Sequence, residues 1–294
     1  MTPERPQRPP GGVVGLAVSP VLLVTVSIAS VQVGSSVAKG LYEQVTPFTV
    51  AWLRLLSAAV VLAFVARPRL RGRRPREWAW VIAYGLVLAG MNTSFYAAIA
   101  RIPIGMAVTL EFLGPLGVSV ALSRRPRDLT WVALAAVGVV LLGFTPGDLD
   151  PVGIALALVA AAMWAAYILL AGPVGRSWAG VSGVTVGMWV GLAAATVPVL
   201  LAGALPPPAA PVWIQGLVVG LLASVIPYGL EMVALRRIQP RIFGILMSLE
   251  PAAAGLFAFL LLGEQLRPVE ILAMACVITA SIGVVRTARR AGSR

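Results

Sequence analysis

Between Ser177 and Leu230 the chain runs for 54 residues without a single Asp, Glu, Lys or Arg. A helix needs ~20 mostly apolar residues to cross the hydrocarbon core of a bilayer, so this stretch holds more than one crossing. Pro206-Pro207-Pro208 and Pro211 divide it, because proline neither donates to a helical ladder nor continues one. The rest of the chain is of the same kind. Hydrophobic residues make up 59% before glycine is counted, against ~45–50% with glycine included in a soluble domain. Charged residues are 12%, about half of the usual ~25%. A soluble fold of this composition lacks the polar surface to cover itself. The apolar content excludes disorder, and the single cysteine, Cys276, excludes a disulfide scaffold. There is no histidine, so the commonest metal ligand and the commonest general base are missing. A zinc enzyme, a histidine triad and a histidine-ligated haem are excluded, and no cofactor or metal is expected. What remains is an all-α integral membrane protein.

Ten segments are long and apolar enough to be spans: Val14–Ser35, Pro47–Ala66, Trp78–Ala100, Ile104–Ser123, Leu129–Phe144, Pro151–Ala171, Val181–Leu201, Val212–Leu235, Ile242–Leu262 and Val269–Val285. Alternating strand patterns, the mark of an outer-membrane barrel, are absent. The first segment follows Arg5 and Arg8, as in a signal peptide, but its uncharged run is long and no small-x-small cleavage site follows, so it reads as a membrane helix. The basic residues divide sharply between the two sides. The amino tail, the carboxyl tail and the loops after spans 2, 4, 6 and 8 hold 19 of the 23 Lys and Arg; the other loops hold 3, and Arg54 lies inside span 2. The positive-inside rule then puts both termini in the cytoplasm. The same rule accounts for most of the +12 net charge. The basic run from Arg67 to Arg74 reads as a short loop facing anionic lipid rather than a nucleic-acid site.

The chain also resembles itself. Ala98-Ile-Ala-Arg101-Ile-Pro103 precedes span 4 as Ala234-Leu-Arg-Arg237-Ile-Gln-Pro240 precedes span 9, and Glu111 and Glu250 follow at similar distances, leading into Pro115 and Pro251. Two repeats are expected, residues 14–145 and 150–288. Five spans are an odd number, so the second copy enters the membrane upside down. Equivalent loops accordingly carry opposite bias: one Arg after span 3 against three after span 8, and three after span 4 against one after span 9. Inverted repeats mark secondary transporters, whose substrate sites lie near the midplane between the copies.

Ionisable groups deep in a bilayer cost several kcal/mol, roughly 2.5–3.5 on insertion scales, and are functional candidates for that reason. Glu111 has nine uncharged residues before it and twelve after; Glu250 has eight and thirteen. Both fall near the midplane at corresponding places. Removal from water favours the neutral form of a carboxyl group, so these groups suit proton uptake and release, or a substrate ammonium. Arg54 reads as a structural or charge partner, because a buried guanidinium needs a fixed carboxylate or carbonyl. Glu231 lies five residues from Arg236, which places it toward the cytoplasmic end of its span. Polar and aromatic residues gather in span 3 (Asn92-Thr-Ser-Phe-Tyr96), in span 1 (Ser30, Gln32, Ser35, Ser36) and in span 6, where Trp164 and Tyr167 share a helix face at a spacing of three.

These residues resemble a known family. Ile102-Pro-Ile-Gly-Met-Ala-Val-Thr-Leu-Glu111-Phe-Leu-Gly-Pro-Leu116, and Phe243-Gly-Ile-Leu-Met-Ser-Leu-Glu250-Pro followed by Leu261-Leu-Gly-Glu-Gln265, look like the two copies of the EamA repeat of the drug/metabolite transporter superfamily. The likeness runs over about residues 15–288. Trp164-Ala-Ala-Tyr-Ile168 and the glutamate-bearing strings bring it closest to the threonine/homoserine exporter branch. The resemblance implies ten helices in two inverted five-helix repeats in a bacterial inner membrane. It implies efflux of small amino acids or related metabolites, exchanged for protons. It also implies a central cavity that places Asn92, Tyr96, Glu111, Tyr228, Glu231 and Glu250 in or near it. The expected partners are a small-molecule substrate, protons and the lipid bilayer, and the oligomeric state is left open. Three rival readings stand beside this one: export of another metabolite class or of a lipophilic drug-like cation; a membrane-embedded enzyme, which the missing histidine opposes; and a scaffold that moves nothing.

Overall fold

The protein is described from a computed structural model covering residues 19–66, 68–121, 128–143, 150–178, 182–207, 209–235, 237, 243 and 246–289. Among these residues the regular structure is entirely helical. The helices are α1 (Pro20–Gly40), α2 (Pro47–Val65), α3 (Pro75–Ile99), α4 (Ile104–Glu111), α5 (Leu113–Ala121) and α6 (Asp128–Gly143), then α7 (Pro151–Ser177), α8 (Ser182–Leu201), α9 (Ala210–Gly220), α10 (Ile226–Leu235), α11 (Glu250–Leu262) and α12 (Pro268–Arg289). Among the described residues, six helical stretches are long and apolar enough to cross a membrane, and four shorter apolar ones fall at Ile104–Val118, Leu129–Leu141, Glu250–Leu262 and Pro268–Gly283.

Most expected boundaries differ from the observed ones by a few residues, and the reason is usually a proline. Pro20, Pro47, Pro75 and Pro151 open α1, α2, α3 and α7, where a missing N–H costs nothing. Val14–Val18 of the expected first span, Phe144 and Val181 lie outside the described residues, as do most positions between Arg236 and Ile245. Three expected single helices are interrupted, span 9 among them, which turns at Ser248 and Leu249 just ahead of α11. Span 4 breaks at Phe112, three residues ahead of Pro115, into α4 and α5. Span 8 passes through a π turn at Leu221–Val225 between α9 and α10, just before Pro227.

The extensive packing joins the first half of the chain (α1–α6) to the second (α7–α12). Helix α3 lies against α7 and α8, whereas α1 and α2 lie against α9, the π turn and α10. Helices α2 and α8, α4 and α11, and α6 and α12 also pair. Contacts within one half, such as α7 with α8 or α5 with α6, are thin by comparison. The halves therefore interleave and do not sit side by side. The largest buried cluster, with Leu41, Tyr96, Ile99, Ile102, Met106 and Leu110 at its heart, fills one end of the bundle. At that end Glu264 receives the backbone N–H of Ile104 at 3.0 Å and pairs with Lys39. Helix α4 starts after Pro103 and carries no acid in its first turn, so the carboxylate that complements its N-terminal dipole comes from the loop after α11.

Gly105 sets the approach of α4 to α11. A Cβ there would lie 2.9 Å from the Cα of Gly255, a distance that only backbone movement relieves. Gly105→Ala is expected to cost about 1–3 kcal/mol through overpacking, read as a lower unfolding midpoint of the purified protein in detergent.

Candidate functional site

Pro227 organises the site. It has no N–H, so the carbonyl of Ala223, four residues back, loses its α-helical donor. The π turn sends the N–H of Ile226 to Leu221 O, five residues back, so the carbonyl of Leu222 is left without its α-helical donor as well. Unpaired carbonyls cost several kcal/mol in hydrocarbon. Here two side chains of the first half supply the missing donors: Arg54 Nη2 donates to Ala223 O and Ser30 Oγ to Leu222 O, each at 2.7 Å. Arg54 is held further by its Nε, which donates to Ser224 Oγ at 2.9 Å, and by Nη1, which donates to Tyr96 Oη at 3.3 Å. Its Cζ stands 5.6 Å from the centre of the Tyr96 ring. The sequence called for a carboxylate or a carbonyl as partner of this guanidinium, and a carbonyl is among its partners.

Around this junction lies a cavity of about 190 Å³. Glu111, Glu231 and Glu250 all line it, with Arg54, Asn92, Trp164 and Tyr167. Glu111 comes from the last turn of α4, and Glu250 opens α11, so the α4–α11 crossing brings the two acids to one hollow. Glu250 lies within electrostatic reach of Glu231, Glu111 and Arg54. One of its oxygens, Oε2, is buried without a hydrogen-bond partner among the described residues. Glu231 accepts a hydrogen bond from Ser27 Oγ at 2.6 Å. Its place toward a helix end does not keep it from the cavity. Trp164 packs edge-on against Phe112 at 5.6 Å, and Tyr167 lies 4.9 Å from Tyr84. The aromatic wall is thus fixed from behind.

One expected residue, Tyr96, does not line this hollow. It is fully buried; its hydroxyl accepts from Arg54 and its carbonyl accepts from Tyr42 Oη at 2.9 Å. It lies next to the cavity, in contact with the guanidinium that lines it. The side chain of another expected residue, Tyr228, lies outside the described residues. The cavity also uses Ser35, Met91, Val108, Pro227 and Met247. Of these, Ser35 belongs to the polar group of span 1, and Pro227 carried a signal as a proline inside an apolar span. The apolar ones carried none that set them apart from other core residues.

A small acid-lined cavity among apolar helices, six of them long enough to cross a membrane, is the arrangement of a multi-pass membrane transport protein. The chain belongs to the EamA-like transporter family, which it matches over residues 18–145 and again over 151–286. It is 40% identical over 280 residues to the threonine/homoserine exporter RhtA of Escherichia coli (strain K12), covering 92% of each chain. It is 41% identical over 278 residues to the protein of that name from Salmonella typhimurium (strain LT2), again covering 92% of each. A solved crystal structure superimposes with a TM-score of 0.61 at 20% identity, over 92% of this chain and 98% of its own. That likeness concerns the fold alone.

Arg54 satisfies the Ala223 carbonyl that Pro227 leaves without its helical donor, so the two residues are coupled. Arg54→Met is expected to lose about 1–3 kcal/mol of stability for the buried carbonyl left unpaired. Adding Pro227→Ala restores the backbone N–H and recovers part of the loss. A double-mutant cycle on thermal or denaturant unfolding in detergent measures the coupling, and additive losses refute it.

Proposed function

We propose that this protein exports small hydroxylated amino acids of the threonine and homoserine kind across a bacterial inner membrane, in exchange for protons. The observation that carries this reading is the convergence of Glu111, Glu231 and Glu250 with Arg54 on one cavity. Such a cavity offers carboxylates to an ammonium group and a guanidinium to a carboxylate. Its volume of about 190 Å³ falls below the ~300–1,000 Å³ of sites for drug-sized ligands. That favours an amino acid over the lipophilic drug-like cation. The names of the two exporters, 40% and 41% identical to this chain, point to the same cargo.

In the mechanism, Glu111 or Glu250 holds either a proton or the substrate ammonium, never both. A proton arriving from outside releases the ammonium outward; loss of that proton to the cytoplasm readies the carboxylate for the next cargo. The cargo is a zwitterion, so each exchange for a proton carries one positive charge inward. A potential of ~100 mV supplies ~2.3 kcal/mol per charge to drive it.

The reading takes the chain as ten spans in two inverted repeats, residues 14–145 and 150–288, with both termini cytoplasmic. The packing supports the repeat. Exchanging the halves turns α3 against α7 and α8 into α9–α10 against α1 and α2, and the pairs α2–α8, α4–α11 and α6–α12 each map onto themselves. The charge pattern of the loops supports the inversion. Because the halves interleave, the units that rock in alternating access are cross-half groups, α3 with α7 and α8 against α1 with α9 and α10.

Glu111→Gln and Glu250→Gln are each expected to abolish proton-driven export of labelled threonine or homoserine from loaded vesicles. Transport that is unchanged in both variants refutes the coupling mechanism. A wild-type chain that moves neither amino acid, but moves another solute from a panel of amino acids and dyes, refutes the choice of cargo.

A further inference from the structure

Asn92, on α3, is 3% exposed and lines the cavity. Its Nδ2 donates to Leu88 O at 2.8 Å, one turn back along its own helix. A carbonyl oxygen only accepts, so this bond fixes which way the amide is turned. The oxygen Oδ1 is then left buried without a hydrogen-bond partner among the described residues. Native interiors rarely leave a buried acceptor unpaired. This one shares a cavity with the unpaired Oε2 of Glu250.

The two acceptors differ in kind. Glu250 presents an acid oxygen beside two further acids, a setting that suits a cation. Asn92 presents a neutral amide carbonyl, whose natural partner is a neutral O–H or N–H. A ligand that satisfies both has an ammonium at one end and a neutral donor a few bonds away. We infer that Asn92 Oδ1 accepts the side-chain hydroxyl of the cargo and thereby selects hydroxylated amino acids over apolar ones of the same shape. The inference rests on the amino-acid reading of the cavity. Valine differs from threonine by a methyl group in place of the hydroxyl. In the site it leaves Oδ1 buried and unpaired, which corresponds to about tenfold to a hundredfold discrimination.

The test compares wild-type, Asn92→Leu and Asn92→Asp proteins in proteoliposomes, with labelled threonine and labelled valine as separate cargoes. Wild type is expected to favour threonine at least tenfold. Asn92→Leu, which replaces the amide with an apolar group of similar size, brings the ratio close to one by lowering threonine flux while valine flux persists. Asn92→Asp keeps an acceptor in place and keeps the preference. A threonine-to-valine ratio unchanged in Asn92→Leu overturns the inference. So does an equal fall for both cargoes, the result expected of a purely structural or ammonium-binding role. Should Asn92→Leu fail to fold, Asn92→Ala is read by the same criteria. A wild-type protein that moves neither amino acid overturns the amino-acid reading and this inference with it. One that moves threonine and valine equally overturns this inference alone.

Discussion

In a bilayer every backbone polar group has to find its partner within the protein, and Pro227 breaks that condition at the centre of the bundle. The repair is not local. The two carbonyls left without helical donors, one by Pro227 and one by the π turn before it, are satisfied by Arg54 from α2 and Ser30 from α1, both from the other half of the chain. A helix defect therefore becomes a cross-link between the halves. It also dictates where a permanent positive charge stands, because a guanidinium spread over Ala223, Ser224 and Tyr96 has little freedom to leave. The wall of the cavity follows from this junction: Arg54, Ala223 and Pro227 all face into it.

The opposite wall depends on close approach. Helices α4 and α11 meet where Gly105 faces Gly255, and small residues are what let helix backbones come together without a hydrophobic drive from lipid. Glu111 ends α4 and Glu250 begins α11, so the contact that fixes the crossing also fixes the separation of the acids. The start of α4 is tied down by Glu264 and Lys39, beside the largest buried cluster. At the other end Arg73 donates to Ser177 O at 2.6 Å and lies over the Trp178 ring at 4.4 Å. Fixed charges thus stitch the ends of the helices, while the middle is held by packing around a polar hollow.

The parts of this design legible in the sequence are those with a local signature. Hydropathy located the helices because each long span is apolar in its own right. Glu111 and Glu250 stood out because an acid among nine and twelve, or eight and thirteen, uncharged neighbours has no cheap place in hydrocarbon. Trp164 and Tyr167 followed from helical spacing. What depends on pairing between distant segments was hidden. Nothing near Ile104 indicates that Glu264 caps its helix, and nothing near Glu231 points to Ser27, 204 positions away. Tyr96 illustrates the limit from the other side. Its type and its neighbours suggest a cavity lining, but Arg54 takes its hydroxyl and turns it into a support. The breaks at Phe112 and at Leu221–Val225 were written in Pro115 and Pro227, though hydropathy alone passes over both.

The balance of charge in the cavity links architecture to coupling. Glu111, Glu231 and Glu250 face a hollow that also holds Arg54, and much of that guanidinium is already engaged by Ala223, Ser224 and Tyr96. Like charges held together in a medium of low dielectric repel strongly, and a buried charge without a counter-charge is costly. With all three acids ionised the hollow is short of positive charge, and the deficit is met by whichever cation is at hand. A proton and an ammonium group both meet it. On the proposed reading, a proton and an ammonium group compete for one and the same carboxylate, Glu111 or Glu250, and mutual exclusion at a single site is what exchange transport requires. On that reading no separate coupling device is needed: competition for one carboxylate beside Arg54 links the arrival of one cation to the departure of the other.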